Sequence, residues 1–408
     1  MQLSENMQGL FAILFLCFVT SPCLCARTLT TQANPTFNIL NFGAKGNGQD
    51  DDSQAFLKAW GAVCNATQGI PTLFIPKGKT FMLQPLVFQG PCKPSTINFK
   101  IEGTITAPRS VNAWKWPDSH RDSWIQFSYI NGLSITGRSL IDGQGAPWWD
   151  CFAKSRCERP MALSFHSCEN LQLSGVTQIN SPGGHVKVYA SNGTRISDMH
   201  LVSPKDSPNT DGLHISASSN VAVENSTTEV GDDCIAILGG TSFVNISGIY
   251  CGPGHGISIG SLGGNGVHAT VEEIHVKNCT FTRSSSGARI KTREGGSGYV
   301  RKITYEDIVL VEVQSPILIV QNYGSLLPID AGQAVKVSDI TYRNFRGTAS
   351  FDSAIQLICD KVIGCSNVVL DQIQITSSVP GKKTNATCLN AHGTSSSSNV
   401  PQIPCLLK

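Results

Sequence analysis

Charge is scarce in this chain: Asp, Glu, Lys and Arg together make up 15% of 408 residues, with 31 basic against 29 acidic side chains. No basic run stands out, which removes nucleic acid as a partner. Cys and His are not spaced as zinc ligands, and no acidic loop follows the EF-hand pattern. Helical periodicity is almost missing from the C-terminal two thirds. Long apolar runs are missing too, since the longest, Leu10–Val19, is too short to span a bilayer and no later stretch approaches membrane length.

That N-terminal run is followed by small residues, so residues 1–26 read as a secretory signal peptide, although no Lys or Arg precedes the run. A cut after Cys25 leaves twelve of the fifteen cysteines, an even number suited to disulfides in an oxidising compartment. Six N-x-S/T sequons, at Asn65, Asn192, Asn225, Asn245, Asn278 and Asn385, agree with export. The expectation is a secreted, extracellular glycoprotein with one domain over residues 27–408.

What the chain does have is Gly, 39 of them, and a recurring theme of short alternating strand, polar turn and strand from about Asn170 onward. Taking Leu173, Ile196, Val221, Val244, Ile274, Ile303 and Ile340 as equivalent anchors gives steps of 23, 25, 23, 30, 29 and 37 residues. Such a period suggests a parallel β-solenoid, with a sandwich or propeller as the alternative that pattern alone leaves open. LSITGRSLIDGQG near Leu133 belongs to the same stack. Ahead of it, QDDDSQAFLKAWGAVC reads as an amphipathic helix with Ala55, Phe56, Ala59, Trp60 and Val63 on one face, placed to cap the open end. The acids at Asp50–Asp52 then serve as N-cap and first-turn residues.

The acidic pair in VGDDCIAI is different, because it belongs to a spaced set. From Asp211 to Asp233, His255, Arg289 and Tyr323 the steps are 22, 22, 34 and 34 residues, each about one coil. Stacked strands lie ~4.8 Å apart, so residues one coil apart on one face come within interaction distance. Asp211, Asp232, Asp233 and His255 would form a ladder with Arg289, Lys291 and Tyr323 beyond it. Asp232 and Asp233 both reach a cleft only if the backbone turns there, and Gly231 permits that.

Clustered carboxylates suit glycoside hydrolysis, which needs one protonated acid and one ionised base. Mutual repulsion raises the pKa of at least one of them. Arg289 and Lys291, two apart on a strand, present a fork and a point charge to an anionic ligand group, so a uronic acid polymer is the natural substrate. A cation site or surface turn is the plain alternative for Asp232 and Asp233, and a solvated face for Arg289 and Lys291. His185 and His214 fit structural positions as easily as a site.

At SPNTDGLHI, VGDDCIAI, CGPGHGISIGSLG and ARIKT the sequence resembles the polygalacturonases of glycoside hydrolase family 28, especially the plant members. The similarity runs from FNILNFGAKGNGQDDDSQAF to the C-terminal cysteines. It implies an all-β, single-stranded right-handed parallel β-helix of the pectin lyase-like kind, acting as a monomer on pectic galacturonan in the cell wall. It also implies inverting cleavage of α-1,4 linkages with no metal and no organic cofactor. By that resemblance Asp232 is the general acid, Asp211 and Asp233 activate water, and Asn209, His255 and Gly256 lie near the scissile bond. Arg289, Lys291 and Tyr323 bind substrate.

Two departures stand out: Gly183 and Gly184 where relatives carry an aromatic before the histidine, and Arg293 where many have an aromatic after RIKT. Cys234 and Cys251 are a candidate bridge bracing the cleft, with Cys64–Cys92, Cys359–Cys365 and Cys388–Cys405 as further pairs suggested by proximity. Related readings are a hydrolase of substituted galacturonan or rhamnogalacturonan and a wall glycoprotein that binds pectin without cutting it.

Overall fold

Alternation of buried and outward side chains along short strands leaves each strand with one apolar face, and the chain buries those faces by winding. In the computed structural model, which describes residues 34–408 apart from 118–120, 156, 325–332 and 407–408, the coils stack into two long parallel sheets. One has 19 strands and the other 11, and every pairing between their strands is parallel. The result is a right-handed parallel β-helix. The proposed signal segment lies outside the described residues. No described helix is long and apolar enough to cross a membrane.

The core consists of side-chain ladders along the helix axis. In the larger sheet one ladder runs Phe37, Leu73, Phe99, Ile135, Leu173, Ile196, Val223, Ile246, Val276, Tyr305, Tyr342 and Leu370. The smaller sheet answers with Phe88, Phe127, Phe165, Val188, Ile215, Ile237, Ile259, Ile290 and Ile319. Phe127 stacks between Phe88 at 4.7 Å and Phe165 at 5.5 Å. Burying a side chain of this size contributes about 1.5–3 kcal/mol, so a ladder repeated at every coil carries the stack.

One expected register is off by two. Ile196 pairs with Val223, and Val221 pairs with Thr194. Both valines point inward, so period alone could not choose between them.

The helix Ser53–Cys64 buries Ala55, Phe56, Ala59, Trp60 and Val63, as its spacing predicts. Its acids act differently from the expected caps. Asp52 is the N-cap residue but makes no side-chain cap bond; its carboxylate accepts from the backbone N–H groups of Lys45 and Gly46, at 2.7 and 3.1 Å, and so pins the preceding turn. Asp51 accepts from Ser53 N at 3.0 Å.

Disulfides join Cys64–Cys92, Cys234–Cys251, Cys359–Cys365 and Cys388–Cys405, and also Cys151–Cys157, a pair the sequence reading did not single out. The even count did not mean complete pairing. Cys168 and Cys279 are free and buried, where each packs as a small apolar residue of the core.

Candidate active site

The outer face of the 11-stranded sheet carries a cavity of about 390 Å³. Its acids come from turns that enter successive strands: Asp211 before Leu213–Ser216, and Asp232 with Asp233 before Ile235–Ile237. Backbone bonds stack these turns. Asp211 O accepts from His185 N at 2.7 Å, Asp233 O from Gly212 N at 2.8 Å, and Gly256 O from Cys234 N at 2.9 Å. Coil-length steps in the sequence therefore become neighbouring turns at one edge of the sheet.

Asn209, Asp211, Asp232, Asp233, Lys291 and Tyr323 line this cavity. His255 reaches it through Asp232, bonded twice: His255 N to the Asp232 carbonyl and His255 Nδ1 to Asp232 Oδ1, both 2.8 Å. Asn209 Nδ2 donates to Asp232 Oδ2 at 3.0 Å. The bridge between Cys234 and Cys251 ties the Asp233 turn to the start of the GPGHG turn.

Arg289 and Lys291 project together from the strand Ser286–Thr292, and both point at Asp233. Arg289 pairs with Asp233 Oδ1, which also accepts from Ser258 Oγ at 2.7 Å, while Lys291 Nζ lies 2.8 Å from Oδ2. All three side chains are buried. One of these cations suffices to neutralise the buried carboxylate, so the second leaves a net positive charge in the cluster. Lys291 also lies 5.2 Å from the Tyr323 ring centroid and faces the cavity, while Arg289 is held to Asp233 directly and through Ser258 Oγ, to which its Nε donates at 2.8 Å.

Two expected placements need correction. Gly256 does not line the cavity; it lies between coils at φ 84°, where a Cβ would stand 2.2 Å from Gly287 O, so its smallness serves stacking. Gly231 needs no positive φ. A Cβ there would meet Ser207 O at 2.0 Å, so close approach of backbone explains it.

Several lining residues had no signal in the spacing. Arg159, from a loop ahead of the strand Met161–His166, bonds Asn209 Oδ1 at 2.8 Å and packs over the Phe152 ring. His214 Nε2 contacts Asp211 Oδ2 at 2.9 Å, so of the two uncertain histidines it is the one in the site. His185 is fully buried, with Nε2 2.9 Å from Ser203 Oγ. At the departures from the plant pattern, Gly183 and Gly184 line the cavity, and the Met161 side chain takes the space a Gly184 side chain would need. Arg293 lines the opposite end, 5.7 Å from the Tyr323 ring.

The carboxylates have been driven apart in acidity. Burial pushes Asp211 up, and the charges of Asp232 and Asp233 add to that, against the opposing His214 bond. Burial also pushes on Asp232, but the hydrogen bond and charge of His255 outweigh it together with Lys291 and Arg289, holding Asp232 at about 2. His214 is raised: burial opposes its charge, and the contact with Asp211 prevails. Burial and the like charges nearby thus make Asp211 the less acidic of the two and leave Asp232 the more acidic.

Asp232, Asp233 and His255 bring ligand atoms within 4.8 Å of one another, close enough for a metal ion. The donor set suits one poorly. Two cations already hold the Asp233 oxygens, and they would repel a third positive charge.

The family model for glycosyl hydrolases family 28 matches residues 64–399. A probable polygalacturonase of Arabidopsis thaliana is 45% identical over 375 residues, covering 90% of this chain and 80% of its own length. An exopolygalacturonase of Zea mays is 37% identical over 402 residues, 96% of each chain. Among solved structures, the endo-xylogalacturonan hydrolase of Aspergillus tubingensis superposes with a TM-score of 0.78 at 26% identity, covering 90% of this chain and all of that one.

Proposed function

The chain belongs to the glycosyl hydrolases of family 28, and from that premise we propose that it hydrolyses α-1,4-galacturonosyl linkages of pectic galacturonan by inverting acid/base chemistry. One observation carries the reading: three carboxylates share a cavity with Lys291 and Arg293, so machinery for glycoside cleavage adjoins cations suited to an anionic sugar.

In this reading Asp232, held in place by His255 and Asn209, donates a proton to the glycosidic oxygen. A bound uronate supports the transfer, because it displaces water and offsets the nearby cations, both of which raise the Asp232 pKa. Asp211 takes the proton of the attacking water; its raised pKa makes it the stronger base. Asp233 has both oxygens engaged, so its part is to hold Lys291 and Arg289 in place more than to accept a proton. Lys291 receives the substrate carboxylate, Tyr323 flanks it, and Asn209 orients Asp232. Activity then needs Asp211 ionised and Asp232 protonated, a bell-shaped pH profile.

The same reading includes secretion to the cell wall, a single catalytic domain after the signal segment, and action as a monomer without metal. The test is release of reducing ends from polygalacturonate at acidic pH, unaffected by chelator and without the ultraviolet absorbance of an unsaturated product. Binding without turnover would instead mark a pectin-binding protein. A second reading, substituted galacturonan, draws support from Gly183 and Gly184, which line the cavity where the plant pattern carries an aromatic. Faster cleavage of xylogalacturonan than of polygalacturonate would select it.

A further inference from the structure

The carboxylates occupy one part of the outer face of the 11-stranded sheet, and the strand register continues past them toward the N-terminal end. There the His214 row continues at Lys187, and the next outward row runs from Ser216 to Tyr189 and then His166. Each step is one strand spacing, ~4.8 Å, close to the length of one pyranose unit. A sugar chain lying along the axis therefore meets about one coil per unit.

The side chains on this stretch match such a ligand. Tyr189 is 44% exposed, its ring centroid lies 5.5 Å from that of His166, and Lys187 Nζ lies 5.7 Å from it. One strand beyond His166 is Ser128, followed directly by Tyr129, 60% exposed. Lys187 meets the exposed Asp122 at 3.4 Å. A pair of that kind is weakly held, so Lys187 can turn to a ligand carboxylate. An open aromatic face beside a cation, in register with a cavity suited to an anionic sugar, offers stacking to a ring and a charge to its carboxylate.

We propose that Lys187, Tyr189 and His166 form a distal platform that binds galacturonate units two and three strands away from the reacting linkage. The inference rests on the galacturonan reading and adds to it a preference for longer chains.

The test compares galacturonate trimer and hexamer by kcat/KM and, separately, by calorimetric binding. In Tyr189→Ala the hexamer-to-trimer ratio of kcat/KM should fall about tenfold, through KM, as loss of one stacking contact implies. Tyr189→Phe should keep the ratio. Lys187→Gln should lower it and weaken its dependence on salt. An unchanged ratio in Tyr189→Ala overturns the platform. A wild type that cleaves neither substrate yet binds hexamer more tightly than trimer, with Tyr189→Ala abolishing that difference, overturns the hydrolase reading and keeps the platform.

Discussion

The outer faces of the two sheets use the same device to opposite ends. On the 19-stranded sheet, cross-coil ion pairs join Arg195 to Glu224, Arg301 to Glu272, Lys302 to Glu273 and Arg283 to Glu312, at 2.6 to 3.0 Å, with their basic side chains 44% or more exposed. On the 11-stranded sheet, the cross-coil pairs of Asp233 with Arg289 and Lys291 have side chains 2 to 9% exposed. Water screens the first set, so each pair adds little. Burial makes the second set costly to disturb and able to tune its neighbours. Ion pairing across coils is thus a property of the solenoid, and burial is what turns it into chemistry.

The largest effect is expected of Asp232→Asn, which removes the proposed proton donor while keeping its shape. It should lower kcat on polygalacturonate about a thousandfold, with an unchanged circular dichroism spectrum. Near wild-type turnover would remove Asp232 from the acid role.

Next in size is Lys291→Met, which leaves buried Asp233 with one cation. Arg289 still compensates the carboxylate, so the loss is that of one hydrogen bond to a buried charge, about 1.5–3 kcal/mol, to be read by chemical denaturation. Destabilisation no larger than for an exposed pair would erase the difference between the two faces.

A third effect depends on pH. His185, fully buried beneath the cleft, is pushed down to about 3 by burial. Its folded pKa lies below the unfolded one, so the unfolded chain binds the extra proton between about 6.5 and 3. Stability therefore falls as pH falls through that window. From pH 6.5 to 4.5 the loss is about 2 kcal/mol, and His185→Gln should flatten the slope of melting temperature against pH. An unchanged slope would place the acid sensitivity elsewhere.

The smallest effect is expected on the other face. Arg301→Ala should melt with the wild type at physiological salt and show no change in turnover. A clear drop would mean that the exposed pairs act as a network.

Much of this was legible in the chain because a solenoid turns sequence period into spatial adjacency. The steps from Asp211 to Asp233 and His255 read directly as stacked turns, and the helix face from Ala55 to Val63 followed from its spacing. Where the period was ambiguous the reading slipped: Val221 and Val223 both face inward, and only cross-coil pairing showed that Val223 follows Ile196. Residues outside the period carried no signal. Arg159 enters from a loop, and Gly256 shares a motif with His255 yet packs between coils.

The winding and the chemical types gathered at one edge follow from the order of residues alone, because alternating apolar residues at a near-constant step bury their faces in only a few ways. Which carboxylate is the more acidic follows only from the folded surroundings of each. Asp211 and Asp232 are the same residue type, but one is buried beside like charges and the other bonded to His255 near two cations. Solvation and the local field, which exist only after winding, separate them.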